Sequence, residues 1–212
     1  MPQTDFKIGT AVVTATGGSS LVWANPGNVI VDSTSTATSA APKNSATITQ
    51  QLWITGFPPI PSGSRIVGVE MKMRVGVAGA DGAAHVLQLT HGGVLIGSNQ
   101  SSPTIPVSIV NNPVLYELTV GGAADLWGVS NLTDVMVNSP TFGVVCAFTA
   151  PIGDNKTAVS LSWVKLNIHY EPNDGVFVKD SGVWKVGTGW VKDGGIWKPA
   201  KKYLKEAGVW KL

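Results

Sequence analysis

Arg65-Ile66-Val67-Gly68-Val69-Glu70-Met71-Lys72-Met73-Arg74-Val75 is the stretch whose reading decides the fold. Val67, Val69, Met71, Met73 and Val75 alternate with Gly68, Glu70, Lys72 and Arg74. Successive side chains of a strand point to opposite faces, so a period of two gives one apolar and one polar face. That is the pattern of an antiparallel strand with one side on a core and one side in water. The same period recurs near the end of the body. There Leu161, Trp163, Lys165, Asn167 and His169 alternate with Ser160, Ser162, Val164, Leu166, Ile168 and Tyr170.

Working outward, further strand-like runs are Gly9 to Thr16, Thr47 to Ile54, His85 to Thr90, Val94 to Gly97, Pro106 to Asn111, Val114 to Val120 and Phe142 to Phe148. Glycine and proline punctuate them, at Gly17-Gly18, Pro58 to Ser64 and Gly92-Gly93. Thr34 to Ala46 is small and polar with nothing to bury, and reads as a surface loop or edge segment. Asp125 to Val129 reads as a corner, and Asn131 to Val137 as a short helical turn or a strand. The count, about eight to ten strands, predicts an all-β fold, an antiparallel, jelly-roll-like β-sandwich.

The last stretch is different. Phe177-Val178-Lys179-Asp180-Ser181-Gly182-Val183-Trp184-Lys185 returns as Trp190 to Lys198 and again as Tyr203 to Lys211. The leading aromatics stand at 177, 190 and 203, so this is an internal repeat with a period of thirteen. Each copy reads as a short β-hairpin with the acid, the variable residue and the glycine as a three-residue loop. That loop length would set Val178 across from Trp184. The expected organisation is a sandwich over 1–170, a linker over 171–175 and three hairpin repeats over 176–212. Two-stranded hairpins are marginal alone. The aromatic groups Phe177, Trp184, Trp190, Trp197, Tyr203 and Trp210 either form a small core together or make an adhesive, docking surface. The second reading makes them the candidate interaction residues.

Composition narrows the function classes. Charged residues are 13% and the net charge is +2, too little for a nucleic-acid partner. Residues 176–212 carry eight Lys against the three acids Asp180, Asp193 and Glu206, which suits hairpin edges in water or an acidic partner. Low charge with a mean hydropathy of +0.18 predicts subunit contacts, hence a homo-oligomer. Cys146 is the one cysteine and lies in the apolar run Val144 to Phe148, which predicts an inert core thiol and no cysteine metal site. No secretion signal or membrane-length apolar run is expected.

The search for chemistry finds little. His85, His91 and His169 have no metal-ligand spacing. No phosphate-binding loop or serine elbow is present. Asp125 and Asp134 are the one carboxylate pair worth weighing for glycoside hydrolysis. The competing reading gives Asp125 the corner and Asp134 a loop. Trp23 beside Asn25-Pro26 reads as a strand anchor and turn before a sugar platform, while Trp53, Trp127 and the tail tryptophans have the aromatic faces that stacking on a sugar needs. No catalytic residue, metal or cofactor is expected.

Two parts of the sequence bear a family resemblance. Trp23-Ala24-Asn25-Pro26, Ile60-Pro61-Ser62-Gly63-Ser64-Arg65-Ile66-Val67-Gly68-Val69-Glu70, Asp125-Leu126-Trp127-Gly128 and the closing strand ending in Tyr170 resemble a β-sandwich module of tailed-bacteriophage virion proteins. The Lys-Asp-X-Gly-Val-Trp-Lys hairpins resemble C-terminal repeats of small phage minor tail proteins, especially of phages that infect actinobacteria. The resemblance implies a non-enzymatic virion structural protein of the minor tail, tail tip or fibre, assembled in the host cytoplasm. It implies a homotrimer whose partners are other virion proteins and a host cell-surface glycan, with no nucleic acid and no membrane insertion. A capsid decoration or head-fibre protein, and a lectin-like carbohydrate-binding module, are the alternatives.

Overall fold

The computed structural model describes residues 3–16, 21–41, 47–78, 82–101, 104–105, 107–108, 114–150, 157–172, 176–180, 183–187, 190–199, 204–206 and 209–211. The chain divides into two compact units, Met1–Pro172 and Asn173–Leu212. The first unit contains β1 (Lys7–Ile8), β2 (Ala11–Ala15), β3 (Ala37–Ala41), β4 (Thr47–Ile48), β5 (Gln51–Thr55), β6 (Arg65–Ala78) and β7 (Gly82–His91). It continues with β8 (Val94–Ile96), β9 (Thr104–Ile105), β10 (Val107–Ser108), β11 (Tyr116–Gly122), the helical turn α1 (Asp134–Val137), β12 (Gly143–Ala150) and β13 (Thr157–Glu171). A 3-10 turn spans Pro26–Ile30.

These strands form two sheets. In the first, β13 and β6 are the central pair, with β3 and β1 on β13 and β11 and β10 on β6. In the second the order is β2, β5, β12, β7, β8, with β4 on β12 and β9 on β7. The pairings nest: β3 with β13, β5 with β12, β6 with β11, and β7 with β8, all antiparallel. First pairs with last and second with next to last, the wrapping of a jelly roll. The expected all-β sandwich is the fold of this unit. One pair departs from the antiparallel rule: β10 runs parallel to β6, Val107 against Val77.

Alternation explains what is buried. From the first sheet Val69, Met71, Met73, Val75, Leu161, Val164, Leu166 and Ile168 enter the core, and from the second Leu52, Ile54, Leu87, Leu89, Val144, Cys146 and Phe148. Burying each large apolar side chain contributes about 1.5–3 kcal/mol. Two bulges reset the phase that simple alternation predicts. Between Leu161 and Trp163 the register slips, so Ser162 is an extra residue and Leu161 shares the core face with Val164. At the other end Tyr170 pairs Ile66 while His169 pairs Gly68, so Ile66 is buried and Val67 is not. The expected groupings of Leu161 with Trp163, and of Val67 with Val69, are therefore corrected. An extra residue flips every side chain beyond it, and the demand for a continuous core decides where it goes.

Within 34–46 the structure has the edge segment of the two expected alternatives, and it corrects only the expectation of nothing to bury. Ala37–Ala41 is a strand on β13, and Ala37 and Ser39 are buried. Alanine and serine have weak strand propensity, so pairing to β13 decides this element, not local preference.

The corner after β11 ties the sheets' connections to β6. Trp127 takes φ 55, a left-handed conformation. Its backbone N–H donates to Asp125 Oδ1 at 2.7 Å, and its indole Nε1 donates to the Val69 carbonyl at 2.8 Å. Val69 N–H in turn donates to the Asp125 carbonyl at 2.8 Å. Gly121, at φ 79, lies where a Cβ would collide with the Val69 carbonyl and the Trp127 indole nitrogen, so only glycine fits beside the ring.

The second unit holds three separate hairpins. They are β14 (Val176–Asp180) with β15 (Val183–Gly187), β16 (Trp190–Asp193) with β17 (Ile196–Pro199), and β18 (Leu204–Glu206) with β19 (Val209–Lys211). Asp180 pairs Val183, Asp193 pairs Ile196 and Glu206 pairs Val209. The acid therefore ends the strand, and the loop has two residues instead of the expected three. Gly194 and Gly195 show why, with φ 58 and 84. Two positive φ values in a row make the tight turn whose twist matches that of a hairpin. The shorter loop shifts the register, so Trp184 stands opposite Lys179, and Val178 opposite Lys185.

Trp127→Phe keeps an aromatic ring at the corner but removes the indole N–H together with part of the buried volume. Leaving the Val69 carbonyl without this donor should cost about 1–3 kcal/mol, read as a lower urea midpoint at unchanged slope. An unchanged midpoint would mean that the corner does not depend on this bond.

Candidate functional site

The two sheets differ most in charge. The seven strands of the second sheet contain no Asp, Glu, Lys or Arg. Those of the first contain Lys7, Arg65, Glu70, Lys72, Arg74, Glu117, Lys165 and Glu171. On the first sheet's outer face many of these groups answer one another. Lys165 Nζ lies 2.9 Å from Asp32 Oδ2 and 4.5 Å from the centre of the Trp163 ring. Lys72 sits 4.7 Å over the Phe6 ring and 3.9 Å from Glu117. His169 Nε2 meets Glu70 Oε2 at 3.2 Å, with Asn167 beside it. The more exposed Lys72–Glu117 pair contributes about 0–1 kcal/mol, while the imidazole of the His169–Glu70 pair is buried, and together these contacts make a polar face partnered within the chain.

The outer face of the second sheet has none of that. Leu52 and Ile54 go to the core, so Gln51, Trp53 and Thr55 lie on the outer side of β5. Val13 pairs Trp53 on one flank and Val145 pairs it on the other. Val145 also pairs Gln88 of β7. It is fully buried yet outside the core cluster, because larger neighbours stand directly opposite on both sides. A groove of about 420 Å³ runs over this face, lined by Val13, Ala15, Trp53, Thr55, Thr90, Gly93, Pro140 and Thr141. Trp53 is half-buried, and its indole Nε1 donates to Gln51 Oε1 at 3.1 Å, which holds the ring in place. Thr90 Oγ1 donates to the Val94 carbonyl at 2.8 Å. Thr141 Oγ1 accepts from Gly92 N–H at 3.1 Å and shares a proton with Ser139 Oγ at 2.8 Å. The lining is an oriented aromatic, aliphatic groups and hydroxyls, with no titratable side chain among them. Such a surface makes neutral contacts rather than acid–base chemistry.

The body tryptophans sort by environment. Trp23 is buried, donates from Nε1 to the Gln50 carbonyl at 2.7 Å and meets Phe148 edge to face, so it is a strand anchor. Trp127 is fully buried at the corner and offers no face to a sugar, which corrects its reading as a platform. Trp163 is covered by Lys165. Trp53 lines the groove.

The two candidate acids have structural work. Asp125 accepts from Trp127 N–H at 2.7 Å, and Asp134 accepts from Gly63 N–H at 2.7 Å in the proline-rich loop before β6. Thr133 caps α1 by accepting from Met136 N–H. Asn138 completes this clasp, accepting from Ile60 N–H and donating to the Ile60 carbonyl. Among the described residues no three His, Cys, Asp or Glu side chains gather as a metal site. No helix among them is long and apolar enough to cross a membrane.

Of the six aromatic interaction residues, Tyr203 lies outside the described residues. The backbones of Phe177, Trp184, Trp190, Trp197 and Trp210 are on the hairpin strands. Trp184, Trp197 and Trp210 occupy the same register position, opposite Lys179, Lys192 and Lys205. The groove on the second sheet escaped the sequence reading. The signal available was the run of uncharged strands, which means little until the topology brings them together. Comparison with protein-family models and with curated proteins finds no match for this chain.

Cys146 sits between Leu52 and Leu87 in the second sheet, and burial pushes its thiol up from 9.0 to about 12. The unfolded chain therefore loses this proton first as pH rises. Stability contributed by the neutral thiol is intact below pH 9.0 and is lost towards about 12. The slope should approach about 1.4 kcal/mol per pH unit, and Cys146→Ala should flatten it in urea titrations at pH 9 to 11. An equal slope in both proteins would mean that the thiol is not buried as described.

Proposed function

We propose that this chain is a non-enzymatic structural protein of a bacteriophage virion, a homotrimeric component of the minor tail, tail tip or fibre that serves assembly or host adhesion. The observation that carries the reading is the thirteen-residue hairpin repeat, whose three copies place a tryptophan and a lysine at one shared register position. Three identical presentations suit repeated contacts with a partner better than a single active site. The jelly-roll body fits the same role, because its two sheets end in short strands such as β1, β2, β8 and β10, which are poor templates for mispairing in a crowded assembly. The sequence resemblance to minor tail proteins points the same way.

A second reading is favoured by one specific feature. The Trp53 groove has an oriented indole with threonine hydroxyls around it, the elements of a lectin-like site for a neutral glycan. Both readings leave Asp125 and Asp134 without a catalytic part.

The test is a chain ending at Pro172. We expect it to fold, with a strand-dominated circular dichroism spectrum and a cooperative melt, and to be missing from particles assembled in its presence. Cross-linking of intact particles with the full chain should give bonds from Lys179, Lys192 or Lys205 to another virion protein. Bonds to capsid proteins would move the address from tail to head. A truncated chain that still enters particles would remove the docking role from the repeats.

A further inference from the structure

We propose that the charge-free outer face of the second sheet, centred on the Trp53 groove, is where copies of this chain pack on one another. The inference rests on the oligomer of the preceding reading and names the surface that forms it. Three observations support it.

The first is charge. Placing a charged group against a dry face costs its hydration unless a partner is supplied, so a face without charges needs a mate without charges. The seven strands of this sheet have no Asp, Glu, Lys or Arg, while the other sheet's outer face is crossed by ion pairs. Within the described body, the surface that matches this face is the same face on another copy. About the three-fold axis of the trimer each copy gives one flank of this face to each of its two neighbours.

The second is exposure. Val13 is 65% exposed and Leu95 38%, and both lie on the outer face of this sheet. Val13 lies beside Trp53, and Leu95 pairs Thr90 across the groove floor. Large apolar groups gathered on one sheet mark a contact surface, whereas scattered ones do not. Among the groove hydroxyls, those of Thr90 and Thr141 are already bonded within the chain. A sugar would find few free partners for its own hydroxyls, while an apolar neighbour needs none.

The third is size. The strands β2, β5, β12, β7 and β8 have 5, 5, 8, 10 and 3 residues, so at about 3.3 Å rise and 4.8 Å spacing the face offers about 500 Å² per copy, and three copies turned to one axis bury at most about 1,500 Å² in all.

The experiment is light scattering with the full chain at micromolar concentration. Val13→Glu and Leu95→Glu each place a charge on the face at an exposed position, where the fold has no need of the native side chain. Thr119→Glu, exposed on the outer face of the first sheet opposite Lys72, is the control. We expect the unaltered chain and the control to be oligomers, and each face variant to dissociate at least tenfold more readily with an unchanged dichroism spectrum. Face variants that keep the oligomer mass would overturn the assignment of the face while leaving the oligomer standing. An unaltered chain that is monomeric would overturn the oligomer itself. Loss of binding on a glycan array by the face variants, at unchanged mass, would give the groove to a ligand and overturn this proposal.

Discussion

The bond from the Trp127 indole to the Val69 carbonyl joins the two parts of the fold that must agree. Val69 lies next to the bulge at Val67, where β6 changes phase against β13. The corner at Asp125 to Gly128 is hydrogen-bonded to both the N–H and the carbonyl of Val69. A bulge is the weak place in a ladder, because its extra residue has no partner on the opposite strand. Anchoring the corner there satisfies backbone groups that would otherwise be buried without partners. Beyond the bulge the pairing of β6 with β13 runs without a slip from Gly68 to Arg74, so Met71, Met73, Leu166 and Val164 all reach the core together.

From that central pair the polar layer follows. Once the apolar side chains of β6 and β13 turn inward, Glu70, Lys72, Arg74, Lys165 and His169 must share the outer face. Their pairings with Asp32, Glu117 and one another, and the rings of Phe6 and Trp163 under two lysines, keep the groups of this half-buried face partnered. The second sheet reaches the opposite result with equal economy. Its strands fill the outward positions with small, apolar and uncharged polar groups, Gln51 and Gln88 among them, and the groove at Trp53 lies on that face.

Some of this was legible in residue order, and some was not. The period of two in 65–75 is local physics: a strand displays its side chains alternately whatever surrounds it, so fold class follows from the pattern. The thirteen-residue repeat is likewise a property of the sequence itself. So is the inert character of Cys146, whose apolar neighbours guarantee burial in any sandwich. Turn length in the hairpins was less legible. Asp180-Ser181-Gly182 and Asp193-Gly194-Gly195 suit loops of either length, and the two-residue form wins where its positive φ values match strand twist.

What only the tertiary structure decided concerns partners distant in the chain. Ala37–Ala41 became a strand because β13 was there to pair with it, and Ser162 became a bulge because the core had to stay continuous. Trp53 and Trp127 look alike in sequence, yet one is sealed beneath Gly121 and the other lines an open groove. The separation of charge is the clearest case. The sequence by itself determined that β2, β5, β7, β8 and β12 have no charged residue. Only the nested pairing, which joins residues as far apart as Val13, Trp53 and Val145, assembled those strands into one uncharged face. Side-chain chemistry is local, but adjacency in a sheet is made by hydrogen bonds between segments that the chain order keeps apart.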